Sequence, residues 1–195
     1  MQFHLEYRSQ RYSTLRVEVD PEVEFRHIVE DFGTLRFPPI GVNHDLIGFA
    51  LLELISNSIR AHRERSVLEP VMVTFTASDE ELAITVLDAG RGFNPSLLPY
   101  DLEASIDTVD LMGDAFAAYR DRNGNRRFGM GIYSVKKIFP RFSLTFIDRA
   151  GQPCPWYSGI VKGTRIDLGI GYIEERDVAE PVDATLLELD AVEEL

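Results

Sequence analysis

The sequence predicts an α/β protein in which helices lie against a sheet. Three observations predict it. Short β-branched, alternating runs recur at residues 71–76, 81–87, 142–147 and 163–168. Ahead of them lies a helical segment, 43–65, so densely apolar that it must be covered by another layer. The chain's 195 residues, 45% apolar and 27% charged, suffice for one domain with a substantial core.

Each element follows in order. Phe3, Leu5 and Tyr7 alternate with polar residues, as do Leu15, Val17 and Val19. Two strands are therefore expected, joined as a hairpin through Ser9, Gln10 and Arg11. Asp20-Pro21 reads as a helix start, with Asp20 as the cap and Pro21 at the first helical position. Phe25, Ile28, Val29 and Phe32 continue that helix to Gly33; His27 within it reads as an ordinary helix histidine rather than a phosphoacceptor. Phe37-Pro38-Pro39 breaks the chain before the long helix, in which Leu46, Ile47, Phe49, Ala50, Leu51, Leu52, Leu54 and Ile55 are apolar. Strands 71–76 and 81–87 are expected to pair antiparallel around Asp79-Glu80. Residues 93–128 have mixed character, with a helical piece from 106 to 119, and a connection of that length is usually functional or mobile. Gly129-Met130-Gly131 opens a helix closed by Pro140, then come a strand at 142–147, a turn-rich insert holding Trp156, and a final strand from Gly163.

Composition excludes several function classes. The formal net charge of −12 argues against nucleic acid, because phosphate binding needs a clustered basic surface. No apolar run approaches the roughly 18 residues that would span a bilayer. Residues 1–6 lack the basic start and apolar segment of a secretion signal, and the one cysteine, Cys154, permits no internal disulfide framework. The cytoplasm is the expected compartment. Residues 174–195 carry nine acids against one arginine, Arg176, and read as an acidic tail in which Leu186, Leu187 and Leu189 can pack on the body or a partner.

Three groups of residues carry chemistry. Glu53 and Asn57 stand four apart in the apolar helix, hence on one face, and burying such a pair is costly unless something meets them. They can serve as an interhelical hydrogen-bonding pair, or as a carboxylate base beside an amide oxygen that ligates a hard cation such as Mg2+. Arg60 continues that face and can meet a phosphate. Asp88-Ala89-Gly90-Arg91-Gly92 ends a strand; alone it reads as a tight turn. Gly129-Met130-Gly131 at a helix start lets backbone N–H groups approach an anion, with Arg120, Arg122, Arg126 and Arg127 just before it.

Together these residues resemble the ATP-binding domain of the GHKL superfamily, which includes gyrase and the histidine kinases. Glu53-Leu54-Ile55-Ser56-Asn57 matches the E-x-x-x-N motif and Asp88 to Gly92 the D-x-G-x-G motif. Phe128-Gly129-Met130-Gly131 matches the glycine-rich motif after the lid, and Gly163-Thr164 the closing G-T, all in family order from Val42 to Leu168. The resemblance implies a two-layer α/β sandwich, the Bergerat fold, with helices on one face of a mixed, mostly antiparallel sheet. It implies ATP and Mg2+ as cofactors: Asp88 accepting from the adenine amino group with Thr164 in support, Asn57 on the metal, and Glu53 as the base. Gly90 and Gly92 would allow close approach and lid hinging. Gly129, Met130 and Gly131 would cradle phosphate, with Arg60 and Arg127 as contacts. The expected organisation is 1–41, strands and helix integrated with the domain; 42–172, the ATP-binding domain with a lid at 93–128; and 173–195, the tail.

The nearest resemblance is to the bacterial anti-sigma-factor serine/threonine kinases, small stand-alone domains with a glutamate in the first motif and often G-M-G in the third. It implies transfer of the γ-phosphate to a protein partner, whether a sigma factor, an anti-sigma antagonist or a response-regulator-like protein, with a homodimer as one arrangement. The histidine that many of those kinases carry four residues after the asparagine is Ala61 here, and His62 follows it. The alternatives are a histidine-kinase-type catalytic domain acting in trans and a non-catalytic ATP-dependent binding switch.

Overall fold

A computed structural model of the chain describes residues 3–122 and 130–173. Leu5–Tyr7 (β1) and Gln10–Tyr12 (β2) form a small antiparallel hairpin. A five-stranded sheet follows, built from Thr14–Val19 (β3), Val71–Ala77 (β4), Glu81–Asp88 (β5), Arg141–Ile147 (β6) and Gly163–Gly171 (β7) in the order β3-β4-β5-β7-β6. Every pairing among the described residues is antiparallel, narrower than the mixed, mostly antiparallel sheet expected. Two helices separate β3 from β4, Phe25–Phe32 (α1) and His44–Arg63 (α2), and they return the chain to the end of the sheet it left, Val19 opposite Val71.

The layers follow from period-two alternation along the strands. Val71, Val73 and Phe75 of β4, Leu82, Ile84 and Val86 of β5, and Ile166, Leu168 and Ile170 of β7 form one buried face. It is covered by α2, whose Ile47, Ala50, Leu51, Leu54, Ile55 and Ile59 are buried at three- and four-residue spacing. Met130–Ile138 (α4) packs beside α2 and on β6, with Val135 fully buried. The other sheet face is polar: the Thr85 hydroxyl donates to Asp167 Oδ1 at 2.7 Å, and the Arg165 guanidinium lies 2.8 Å from the same carboxylate. This is the two-layer sandwich expected, with the helices on one face.

Three local expectations change. The hairpin turns at Arg8 and Ser9, both with positive φ (48° and 63°), and Gln10 and Arg11 belong to its second strand; β3 belongs to the main sheet instead. Positive φ at two consecutive residues is the tight-turn geometry that suits the strands' own twist. Asp20 does not cap α1: its carboxylate accepts from the Glu22 N–H at 2.8 Å, closing a turn over residues 20–23, and the helix starts at Phe25. The helical piece expected at 106–119 divides into a single 3-10 turn, Ile106–Thr108, and a helix, Asp114–Arg122 (α3). The tail from 174 lies outside the described residues.

Candidate nucleotide site

β5 delivers the first corner. The alternation that turns Leu82, Ile84 and Val86 toward the helices turns Asp88 the same way, and the ladder sets Thr164, also on the helix-covered face, directly opposite it. Asp88 Oδ1 accepts from the Gly90 N–H at 2.8 Å and the Thr164 N–H at 3.3 Å, while Oδ2 accepts from the Ser58 hydroxyl at 3.4 Å. Burial pushes the Asp88 carboxyl above the ordinary carboxylate range, and these hydrogen bonds pull it back part of the way. One oxygen is thus committed to backbone donors, and the other has a single long partner.

The glycines around this corner are demanded by contact. Gly92 has φ of +63°, and a Cβ there would sit 2.6 Å from the Phe146 ring. A Cβ on Gly163 would run into the Asp88 carbonyl oxygen, so the glycine of the closing G-T lets β7 close on β5 at the motif itself. Gly90 backs onto Ala61, which explains why the residue four beyond Asn57 is small: a Cβ on Gly90 would already lie 3.0 Å from Ala61 Cβ.

The second corner lies one turn earlier on α2. Gly131 of α4 passes over Glu53 and Asn57, close enough that a Cβ on it would fall 2.5 Å from Glu53 Oε2 and 3.4 Å from Asn57 Nδ2. Asn57 Oδ1 accepts from Arg60 Nη2 at 2.6 Å, which leaves its second lone pair for a cation. Arg60 also acts on the Tyr119 phenol of α3, whose proton affinity is raised by burial and lowered by that guanidinium. Among the described residues the Glu53 carboxylate has no ion pair or hydrogen-bond partner. Among the described residues, no group of three or more His, Cys, Asp and Glu side chains is arranged to hold a metal ion.

The residues singled out from the sequence thus gather into two groups along α2: Asp88, Gly90, Gly92 and Thr164 at one, and Glu53, Asn57, Arg60 and Gly131 at the other. Arg127 and Gly129 lie outside the described residues, as does the side chain of Met130. Two members of the site were missed. Ser58 and His62 are both buried, and both face β5. Their signal was available, since 54, 55, 58, 59 and 62 form one helical face, but a serine and a histidine on an apolar face carry no marker of their own. The segment that follows the Asp88–Gly92 motif is also anchored on α4. Lys136 of α4 donates to the carbonyls of Leu102 and Ala104 at 2.5 and 2.6 Å, and Tyr100 stacks on Phe116 at 5.9 Å with Tyr133 edge-on.

A sandwich with helices on one sheet face, an acid at the end of a central strand and an E-x-x-x-N pair under a glycine-opened helix define an ATP-binding domain of the histidine kinase-like class. The family model of the histidine kinase-like ATPase domain matches residues 25–151, more than half of the chain, and the protein belongs to that family. The match takes in α1, ahead of the first motif, and stops before Gly163 and Thr164, which reach the site through the β5–β7 pairing. No curated protein matches the chain. Among the described residues, no helix is long and apolar enough to cross a membrane.

Proposed function

We propose that this domain is a regulatory protein kinase of the anti-sigma-factor type, transferring the γ-phosphate of ATP to a hydroxyl of a protein partner. The observation that supports it most is Glu53. A carboxylate with no partner among the described residues stands beside Asn57, under the first turn of α4, next to the buried Leu54 of the helix's core face. A structural ion pair would have a basic residue against it, and a binding-only pocket needs no base there. In the proposed reaction the acceptor hydroxyl loses its proton to Glu53 as its oxygen bonds to the γ-phosphorus. The bond from that phosphorus to the β,γ-bridging oxygen breaks, and ADP leaves. Magnesium would neutralise phosphate charge, and Asn57 would hold it. Arg60 would meet the same phosphates from the other side of Asn57. The adenine amino group would donate to Asp88 Oδ2, the oxygen not committed to backbone N–H groups.

The partner is inferred to be a protein such as a sigma factor, its antagonist or a response-regulator-like domain, and the test must supply it. Wild type and Glu53→Ala are incubated with γ-labelled ATP and a lysate of the native host, while ATP binding is measured by calorimetry. The expected result is a labelled protein band that depends on added wild type and is weaker by about 10²–10⁴-fold with the variant, the usual worth of a positioned base, and equal ATP binding by both. Binding without any label in wild type would instead favour the switch reading. An acid-labile label on histidine or aspartate would favour the histidine-kinase-type reading.

A further inference from the structure

His62 is fully buried near the C-terminal end of α2, and each of its ring nitrogens has a backbone partner. Nδ1 lies 3.0 Å from the carbonyl oxygen of Glu69, just before β4, and Nε2 lies 2.8 Å from the amide nitrogen of Ala89. A carbonyl can only accept, and an N–H can only donate. The pair of contacts therefore fixes one state of the ring, neutral, with the proton on Nδ1 and a lone pair on Nε2. Ala89 stands between Asp88 and Gly90, where β5 stops pairing and the chain bends. Its N–H is a donor at a buried corner, and leaving such a donor unmet is costly. The charged group facing the ring from the sheet is the Asp88 carboxylate itself, and the other element packed on it, the chain entering β4, presents a carbonyl.

We propose that His62 is a positioning residue for nucleotide recognition: its Nε2 holds the Ala89 N–H, fixing the bend that commits Asp88 Oδ1 to Gly90 and Thr164 and leaves Oδ2 for the adenine amino group. The imidazole joins three segments that must agree for the pocket to form: the end of α2, the entry to β4 and the exit from β5. Ser58, one turn earlier on the same helix, meets the carboxylate of Asp88, so α2 grips both the side chain and the following peptide of the motif. The proposal rests on adenine being read at Asp88, and the experiment separates the two.

The clamp is tested first without nucleotide. Nitrogen-detected NMR of the full chain is expected to show His62 as the Nδ1–H tautomer, with scalar coupling from Ala89 N–H across the hydrogen bond to Nε2. An Nε2–H tautomer or absent coupling overturns the proposal. ATP binding is then measured by calorimetry for His62→Gln and His62→Asn. Glutamine can place its amide oxygen where Nε2 was and accept from Ala89, whereas the shorter asparagine reaches only the Nδ1 place. Glutamine is expected to bind within about threefold of wild type and asparagine about tenfold more weakly, the worth of one buried hydrogen bond. Equal losses in both, tracking their fall in Tm, would reduce His62 to a packing residue. If the coupling is present but Asp88→Asn binds ATP at full strength, the adenine assignment fails and the clamp stands as a feature of the fold alone.

Discussion

Burial raises the proton affinity of the Asp88 carboxyl, while its hydrogen bonds, led by that from the Gly90 N–H, lower it. Its folded-state pKa lies above the ordinary 3.8, so the folded protein binds that proton more tightly than the unfolded chain does. The ionised side chain therefore costs stability above the folded-state value. That cost is relieved as pH falls through this value, and it is gone below 3.8. Asp88→Asn keeps an oxygen for Gly90 and Thr164 and removes the buried charge. Its Tm without nucleotide is expected to equal or exceed that of wild type at pH 7–8, with the difference shrinking toward pH 4, as scanning calorimetry over that range would show. The same variant is expected to lose ATP binding, because its other position becomes a donor facing a donor. A residue that costs stability and carries recognition is what a ligand site looks like at this scale. A Tm below that of wild type together with intact ATP binding would make Asp88 a structural turn residue.

At the scale of elements, the phosphate end depends on how closely α4 approaches α2. Gly131 sits where any side chain would meet Glu53 first, at 2.5 Å, and Asn57 next, at 3.4 Å. The atom it would meet is the tip of a flexible carboxylate, so the helices need not separate. Gly131→Ala is expected to leave Tm unchanged or raise it, since alanine in a helix is worth about 0.5–1 kcal/mol over glycine. Turnover should fall because Glu53 is pushed aside. A drop in Tm of more than a few degrees without loss of turnover would show that the close approach serves packing only. Residues 100–104 are tied to the same helix, through Lys136 and the edge-on contact of Tyr100 with Tyr133.

For the whole molecule, the site is the place where the sheet and its helical layer meet at one end, and the core between them sets its geometry. Phe75 on β4 is fully buried and touches the rings of Phe32 and Phe37, so one side chain joins the sheet, α1 and the segment leading into α2. Phe75→Ala is expected to cost about 3–5 kcal/mol, the range for deleting a buried ring, measured by urea denaturation. A loss below 1 kcal/mol would mean that the layers repack freely and that the site is not held by the core.

Much of this was legible in the residues. The alternation of β4, β5 and β7, the apolar stripe of α2 and the spacing of Glu53, Asn57, Asp88, Gly131 and Thr164 are local patterns, and local patterns report which face a residue occupies. The start of α1 was misread because Asp20-Pro21 satisfies the rules for a turn as well as those for a cap, and only the packing of Ile28 and Phe32 decides where the helix begins. His62 looked like a displaced copy of a family histidine, one residue out of register. The fold turns that residue inward, against Glu69 and Ala89, and gives Ala61 the tight contact with Gly90. By itself, then, the sequence determined the layers, the family and the chemical types at the two ends of the pocket, because helix and strand periods are properties of neighbouring residues. Which Asp88 oxygen the backbone donors take, what Gly131 and Gly163 lean against and which way the His62 ring is protonated were decided by tertiary structure alone. Each depends on a partner dozens of residues away, or on another element, whose distance no period encodes.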